Sequence, residues 1–287
     1  MNNLLEVKNL SKKYQEFSLQ EISFTLKKGY IMGFIGPNGA GKSTTIKLIM
    51  NLLKRDGGEI RVFGLDNIRA EREIKDRIGF VYEEPYFYEE LTVLEMKKVI
   101  APFYSKWDDQ IFDQYLKRFG LSVKKKIKEL SKGMKMKVWL AIALSHQAEL
   151  LILDEPTSGL DPVVRRELLD ILADVIQDEE KGVFFSTHIT TDLDKIADYI
   201  TFINNGEIIF STTKDYIMDN YGLVKGKKAG LDNTLLKEAV GLRENKFGFE
   251  ALVKDRNRFW KGSKGEFIIE KPTLEEIILY YTRGKQG

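Results

Sequence analysis

A glycine-rich octapeptide constrains the fold more than any other part of this sequence. Residues 36–43 read Gly-Pro-Asn-Gly-Ala-Gly-Lys-Ser and match the pattern G-x-x-x-x-G-K-[ST] of phosphate-binding loops. The apolar run 30–35 predicts a buried strand before the loop, and residues 44–53 predict a helix after it. Glycines allow backbone N–H groups to converge on phosphate oxygens, and the N-terminus of the helix adds partial positive charge. The octapeptide therefore predicts a nucleotide site between a strand and a helix.

Within this loop, residue types indicate separate tasks. The Lys42 ammonium is expected to reach the β- and γ-phosphates, and the Ser43 hydroxyl is expected to bind Mg²⁺. An ordinary glycine turn is the alternative, but the strand before the loop and the helix after it favour nucleotide binding. The residues expected to contact nucleotide are Gly36, Pro37, Asn38, Gly39, Ala40, Gly41, Lys42, Ser43 and Thr44.

Two carboxylates follow a second apolar strand, predicted over residues 150–153. In P-loop enzymes an Asp at such a strand end helps to hold Mg²⁺, and this task falls to Asp154. The next residue, Glu155, could orient and deprotonate an attacking water molecule. The alternative is a strand that simply ends in solvated acids. The phosphate loop upstream favours the catalytic interpretation.

Strands and helices alternate along most of the chain. Apolar strands that alternate with helices predict an α/β fold with a mainly parallel sheet, here a P-loop NTPase core. Residues 84–149 are rich in helical patterns and predict a helical subdomain, with a capping box at Thr92 and Glu95. We place the first domain at 1–213 and a small C-terminal α/β appendage at 214–287. There Leu274, Ile277, Ile278 and Tyr281 predict one apolar helix face.

Composition excludes several classes of site. The chain has no cysteine and two histidines, so disulfides, zinc–thiolate sites, iron–sulfur clusters and His-rich metal sites are excluded. A net charge of +2 gives no sign of an electrostatic nucleic-acid binder. No run approaches the roughly 18 to 20 apolar residues of a membrane span, and the N-terminus does not have the pattern of a signal peptide. Any membrane-spanning part is therefore expected on other chains.

Together with the two motifs, further segments resemble the ATP-binding subunit of an ABC transporter. Residues 130–134 (Leu-Ser-Lys-Gly-Met) resemble the family signature, and residues 158–161 (Ser-Gly-Leu-Asp) resemble its D-loop. His188 resembles the switch histidine, and Tyr14 resembles the aromatic residue that stacks on adenine. The resemblance covers about residues 4–213. The additional C-terminal segment is similar to that of subunits that serve bacterial exporters of drugs and peptides.

This resemblance implies a mechanism. Ser131 and Gly133 would contact the γ-phosphate bound by a second subunit, Asp161 would couple the two sites, and His188 would position the γ-phosphate. Two subunits, identical or related, would close around MgATP, and hydrolysis would power transport through separate membrane-spanning permease subunits. The protein would be cytoplasmic and peripheral on the inner face of the cell membrane, with no nucleic-acid partner. The alternatives are a soluble ABC ATPase that acts on nucleic acid or ribosomes, and a non-catalytic regulatory module.

Two positions depart from the family pattern. Glu83 stands where the family has a Gln that senses Mg²⁺, and Lys132 stands where it often has Gly. Glu83 could bind Mg²⁺ directly or through water, or it could be a solvated loop acid. We interpret Lys132 as a tolerated variation. The aromatic residues around Glu83 could dock a membrane subunit or pack locally; they are Tyr82, Tyr86, Phe87 and Tyr88.

Overall fold

The computed structural model describes residues 3–83, 88–244, 246–260 and 267–283. The chain divides into two compact units, 1–211 and 212–287. The strands of the first unit, of which the last continues into the second, are β1 (Asn3–Lys13), β2 (Ser18–Lys27), β3 (Ile31–Ile35), β4 (Gly57–Val62), β5 (Leu65–Asp66), β6 (Ile78–Val81), β7 (Leu150–Leu153), β8 (Gly182–Thr187), β9 (Tyr199–Asn204) and β10 (Glu207–Thr213).

A six-stranded sheet forms the centre of the first unit, in the order β10-β9-β3-β8-β7-β6. The strands from β9 to β6 are parallel to their neighbours, which confirms the prediction of a mainly parallel sheet. Strands β3, β7 and β8 are buried along their whole length, as expected for strands covered on both faces. Because parallel strands end at the same edge, the loops that follow β3, β6, β7 and β8 meet there.

A second, antiparallel sheet was not predicted from the sequence. It has the order β2-β1-β4-β5, and β1 pairs with both β2 and β4 through registers interrupted by bulges. Its apolar side chains share a core with the parallel sheet. For example, the Phe24 ring stacks on that of Phe184 at a centroid distance of 5.6 Å. The antiparallel sheet thus covers the parallel sheet near the phosphate loop, where β2 supplies Leu19.

Seven α-helices are described in the first unit: α1 (Lys42–Ile49), α2 (Glu71–Asp76), α3 (Val93–Ile100), α4 (Asp109–Arg118), α5 (Lys132–Ser145), α6 (Pro162–Val175) and α7 (Thr190–Ile196). Between residues 88 and 149 the structure describes helices and helical turns but no strand. The predicted capping box is present, because Thr92 Oγ1 accepts a hydrogen bond from Glu95 N and Thr92 N donates to Glu95 Oε2. No helix in the described ranges is long and apolar enough to cross a membrane.

The second unit is an antiparallel sheet with helices. Its sheet has the order β12-β13-β11-β14 and encloses an apolar core. On the last helix the structure buries Leu274, Ile277 and Tyr280 and leaves Ile278 and Tyr281 partly buried, and the Tyr281 hydroxyl forms a hydrogen bond of 2.8 Å with Tyr221. Of the four residues predicted to share an apolar face, Leu274 and Ile277 are thus fully buried and Ile278 and Tyr281 partly buried. The elements are α8 (Lys214–Asn220), β11 (Gly222–Gly226), α9 (Asn233–Glu238), β12 (Ala239–Glu244), β13 (Phe249–Val253), α10 (Arg256–Trp260), β14 (Phe267–Glu270) and α11 (Leu274–Arg283).

Candidate active site

The phosphate loop joins β3 to α1, and its backbone conformation favours glycine at two positions. Gly39 and Gly41 have φ angles of +80° and +111°, in the left-handed region that disfavours other residues. At Gly41 a Cβ atom would also lie 2.6 Å from Leu19 Cδ2 and 2.9 Å from Phe17 Cζ. The loop therefore passes close beneath β2 and delivers Lys42 to the first position of α1.

Lys42 is held in place by buried contacts. Its Nζ atom donates to the carbonyl oxygens of Gly36 at 2.9 Å and Pro37 at 3.3 Å. The same ammonium lies 3.1 Å from Glu155 Oε1, and each of these two side chains is only 6% exposed. Buried charges require such partners, since an unpaired ion in this position would be strongly destabilising. The loop cation and the strand-end carboxylate therefore form one ion pair.

Glu155 also contacts His188, and so the two predicted catalytic residues are brought together. His188 Nδ1 lies 2.8 Å from Glu155 Oε2. The Glu155 backbone has a φ of +47°, an unusual value for a residue with a side chain. Its N–H donates to Ser186 Oγ at 2.9 Å, and Ser186 Oγ donates to Asp154 Oδ1 at 2.6 Å. Ser186, near the end of β8, therefore fixes both acidic residues that follow β7.

These groups border an open cavity of about 850 Å³ at the carboxyl edge of the parallel sheet. Tyr14 contributes a ring that is 46% exposed and lies 6.4 Å from the Phe17 ring, between centroids. Glu83 lines the same cavity, on the loop after β6. Sequence reasoning missed Glu16 and Phe17, which carry no motif signal of their own, and it did not assign Ser158, the first residue of the D-loop-like segment, to this cavity. The lining residues are Tyr14, Glu16, Phe17, Asn38, Gly39, Gly41, Lys42, Ser43, Thr44, Glu83, Glu155, Ser158 and His188.

The remaining predicted contacts lie elsewhere in the first unit. Ser131 begins α5, where its side chain accepts a hydrogen bond from Met134 N at 3.3 Å. Asp161 begins α6 and accepts hydrogen bonds from Val163 N and Val164 N. Neither residue, nor Gly133, is among those that line the cavity. The cavity of one chain therefore does not include the signature segment.

The aromatic residues near Glu83 are only partly described. The Tyr82 ring packs edge-on against Phe80 at a centroid distance of 4.3 Å, and Tyr88 is largely exposed. Tyr86 and Phe87 lie outside the described residues. The docking surface expected here stays a prediction.

Comparison with known proteins identifies the family. Residues 19–158 match the family model described as ABC transporter. The bacitracin transport ATP-binding protein BcrA of Bacillus licheniformis is 34% identical over 220 residues, which cover 76% of this chain and 72% of that protein. The lantibiotic transport ATP-binding protein SrtF of Streptococcus pyogenes is 35% identical over 215 residues, with coverages of 74% and 92%.

Solved structures agree with this result. The structure of an ATP binding subunit of an ABC transporter aligns with a TM-score of 0.68 and 32% identity, covering 75% of this chain and 91% of that one. The P-loop fold and the ATPase activity expected from the sequence are those of this family. This chain belongs to the ABC transporter family, as a nucleotide-binding subunit that hydrolyses ATP and powers transport through separate membrane-spanning subunits.

Proposed function

We propose that the cavity binds MgATP with adenine on the Tyr14 ring and the phosphates on the loop 36–44. This proposal rests on two contacts of Glu155, which lines the cavity together with Lys42 and His188. Glu155 Oε1 lies 3.1 Å from Lys42 Nζ, and Glu155 Oε2 lies 2.8 Å from His188 Nδ1. An ammonium, a carboxylate and an imidazole beside a phosphate loop can bind a γ-phosphate and activate water. The exposed Tyr14 ring offers a flat surface for the base.

The oxygen donors near the loop suit Mg²⁺. Ser43 and Glu83 line the cavity. Asp154, directly after β7, is buried and is not among the lining residues, and its Oδ1 atom accepts a hydrogen bond from Ser186. Hard oxygen ligands are those that Mg²⁺ prefers, and it usually keeps several waters. Ser43 and Asp154 would hold the ion, and Glu83 would reach it directly or through water. When bound, Mg²⁺ neutralises phosphate charge during transfer.

In hydrolysis, Glu155 accepts the proton of the attacking water. Its Oε2 atom lies 2.8 Å from His188 Nδ1, a contact that supports a fixed direction for the carboxylate, and the imidazole would position the γ-phosphate. Lys42 supplies positive charge to the β- and γ-phosphates. The left-handed backbone of Glu155, bonded to Ser186, keeps the carboxylate aimed into the cavity.

The signature segment serves a second subunit. Ser131 and Asp161 are exposed and lie outside the cavity of their own chain. Together with Gly133, they would contact the nucleotide held by another copy, or by a related ATP-binding chain, and Asp161 would couple the two sites. Closure of two such chains around ATP would then move the attached membrane subunits.

The transported substrate is a peptide antibiotic, and the direction is export. This proposal rests on the two relatives, which are named for bacitracin and lantibiotic transport. The chain would lie in the cytoplasm, bound to permease subunits at the inner face of the cell membrane. A net charge of +2 does not favour action on nucleic acid.

Replacing Lys42 tests the assignment. Lys42→Ala should abolish MgATP binding, measured by calorimetry, and should abolish resistance to bacitracin or lantibiotics in cells that depend on this chain. Lys47→Ala is the matched control, because it removes the same charge from the same helix outside the cavity. Parental ATP affinity in Lys42→Ala would contradict the nucleotide site. Normal antibiotic sensitivity in cells that lack the chain would contradict the substrate class alone.

A further inference from the structure

Asp192 is a fully buried carboxylate that the motifs do not account for. Its side chain is 0% exposed, in the first turn of α7. The Oδ1 atom accepts a hydrogen bond from Arg165 Nε at 2.6 Å, and Oδ2 accepts one from Thr157 Oγ1, also at 2.6 Å. Arg165 Nη2 donates further to Thr191 Oγ1 at 2.7 Å. Each carboxylate oxygen therefore accepts a hydrogen bond, and such partners offset the cost of burying a charged group.

The partners of Asp192 lie on the segments that carry the active-site residues. Thr157 is two residues beyond Glu155, and its carbonyl accepts the N–H of Leu160. Arg165 N donates to the carbonyl oxygen of Asp161 at 3.0 Å. Asp192 itself follows His188 by four residues. One carboxylate thus connects the segment 155–161, the start of α6 and the start of α7.

We propose that Asp192 is a positioning residue for ATP hydrolysis. It holds the segment 155–161 against α7, so that Glu155 Oε2 stays 2.8 Å from His188 Nδ1. The inference rests on the proposed roles of those two residues. Glu155 and His188 lie on different loops, after β7 and β8. Ser186 joins these loops next to the strands, and Asp192 joins them again farther along, through Thr157 and Arg165. A misplacement of about 1 Å at a reacting group can cost about 100-fold in rate.

A positioning role differs from a structural role in what it changes. A structural role would lower the melting temperature and leave turnover unchanged in protein that is still folded. A positioning role lowers kcat at temperatures far below unfolding, and leaves the KM for ATP nearly unchanged, because the phosphate loop and Tyr14 are not in contact with Asp192. Its effect also depends on His188, through which it acts.

The experiment measures steady-state ATPase activity of the full chain. Asp192→Asn should lower kcat about 10- to 100-fold with little change in KM, and Asp192→Glu should recover part of the loss. Thr157→Val removes one hydrogen bond and gives a milder variant that keeps the ion pair. Arg166→Ala is the matched control, since it removes the neighbouring exposed arginine of α6.

The decisive comparison uses a His188→Ala background. There Asp192→Asn should lower kcat no further, because the contact that it protects is already gone. Losses that multiply in the double variant, or a parental kcat in Asp192→Asn and Thr157→Val, would overturn the inference. If Glu155→Gln and His188→Ala themselves keep parental kcat, the proposed function fails instead, and the two failures are thereby distinguished.

Discussion

Acidification should destabilise the first unit through His146, which is fully buried at the end of α5. Its ring stacks on Tyr104 at a centroid distance of 3.8 Å, and neither ring nitrogen has a hydrogen-bond partner of good geometry in the described part of the chain. Burial lowers the pKa of His146 from 6.5 to about 4, although the nearby carboxylate of Asp76 opposes this effect. The folded protein therefore keeps this imidazole neutral where an unfolded chain would protonate it.

The sign and size of the effect follow from that difference. Above pH 6.5 the imidazole is neutral in both states and contributes no pH dependence. Between pH 6.5 and about 4 the unfolded chain binds a proton that the folded chain does not, so the free energy of unfolding falls as the pH falls. In this range the free energy of unfolding falls by about 1.4 kcal/mol for each pH unit. The loss is about 2 kcal/mol at pH 5 and about 3 kcal/mol once the pH reaches about 4.

Urea unfolding at several pH values measures this slope in a Trp260→Phe background, in which the remaining tryptophans, Trp107 and Trp139, both lie in the first unit. His146→Phe keeps a flat ring against Tyr104 and removes the titrating group. Between pH 7 and pH 5 its free energy of unfolding should therefore fall by about 2 kcal/mol less than that of the parent. Equal slopes for the parent and His146→Phe would refute the reasoning.

Three further outcomes are expected. Glu155→Gln should keep ATP binding but lower kcat about 10²- to 10⁴-fold, since an amide cannot accept the water proton. Light scattering of this variant should show an ATP-bound dimer, and a monomer with parental turnover would contradict the role of Glu155. Glu83→Gln should weaken the Mg²⁺ dependence of ATPase activity modestly and Glu83→Ala should lower turnover, whereas three superimposable Mg²⁺ titrations would place Glu83 outside the metal site. Deleting 214–287, a cut that leaves β10 whole, should leave MgATP binding intact; loss of affinity in a truncated chain that is folded by circular dichroism would contradict this.

Local patterns predicted the parts of the site that are contiguous in sequence. The phosphate loop lies between β3 and α1, and the acidic pair follows β7, because each depends on a short apolar strand and the residues next to it. The strand predicted over 150–153 has those bounds in the structure. The roles of the individual residues stay predictions that the experiments above address.

Contacts between distant residues were not predictable in the same way. The antiparallel sheet around β1 depends on the distant strand β4, whose partners in β1 lie more than 40 residues away, and on bulges that interrupt alternation. Asp192 looks in sequence like an ordinary acidic residue in the first turn of a helix. Its burial is explained only by Arg165 and Thr157, which lie 27 and 35 residues earlier. The side chain of Ser186 likewise gains its place at the site through residues 31 and 32 positions away.

The ion pair of Lys42 and Glu155 joins the phosphate loop to the segment that follows β7. An anionic phosphate bound at the loop would compete with Glu155 Oε1 for the Lys42 ammonium, since both anions would lie within reach of one cation. If the phosphate takes the ammonium, the buried Glu155 carboxylate keeps His188 Nδ1, 2.8 Å away, as a partner. Occupancy of the phosphate loop would therefore be transmitted to the segment after β7 through the partner that Lys42 takes.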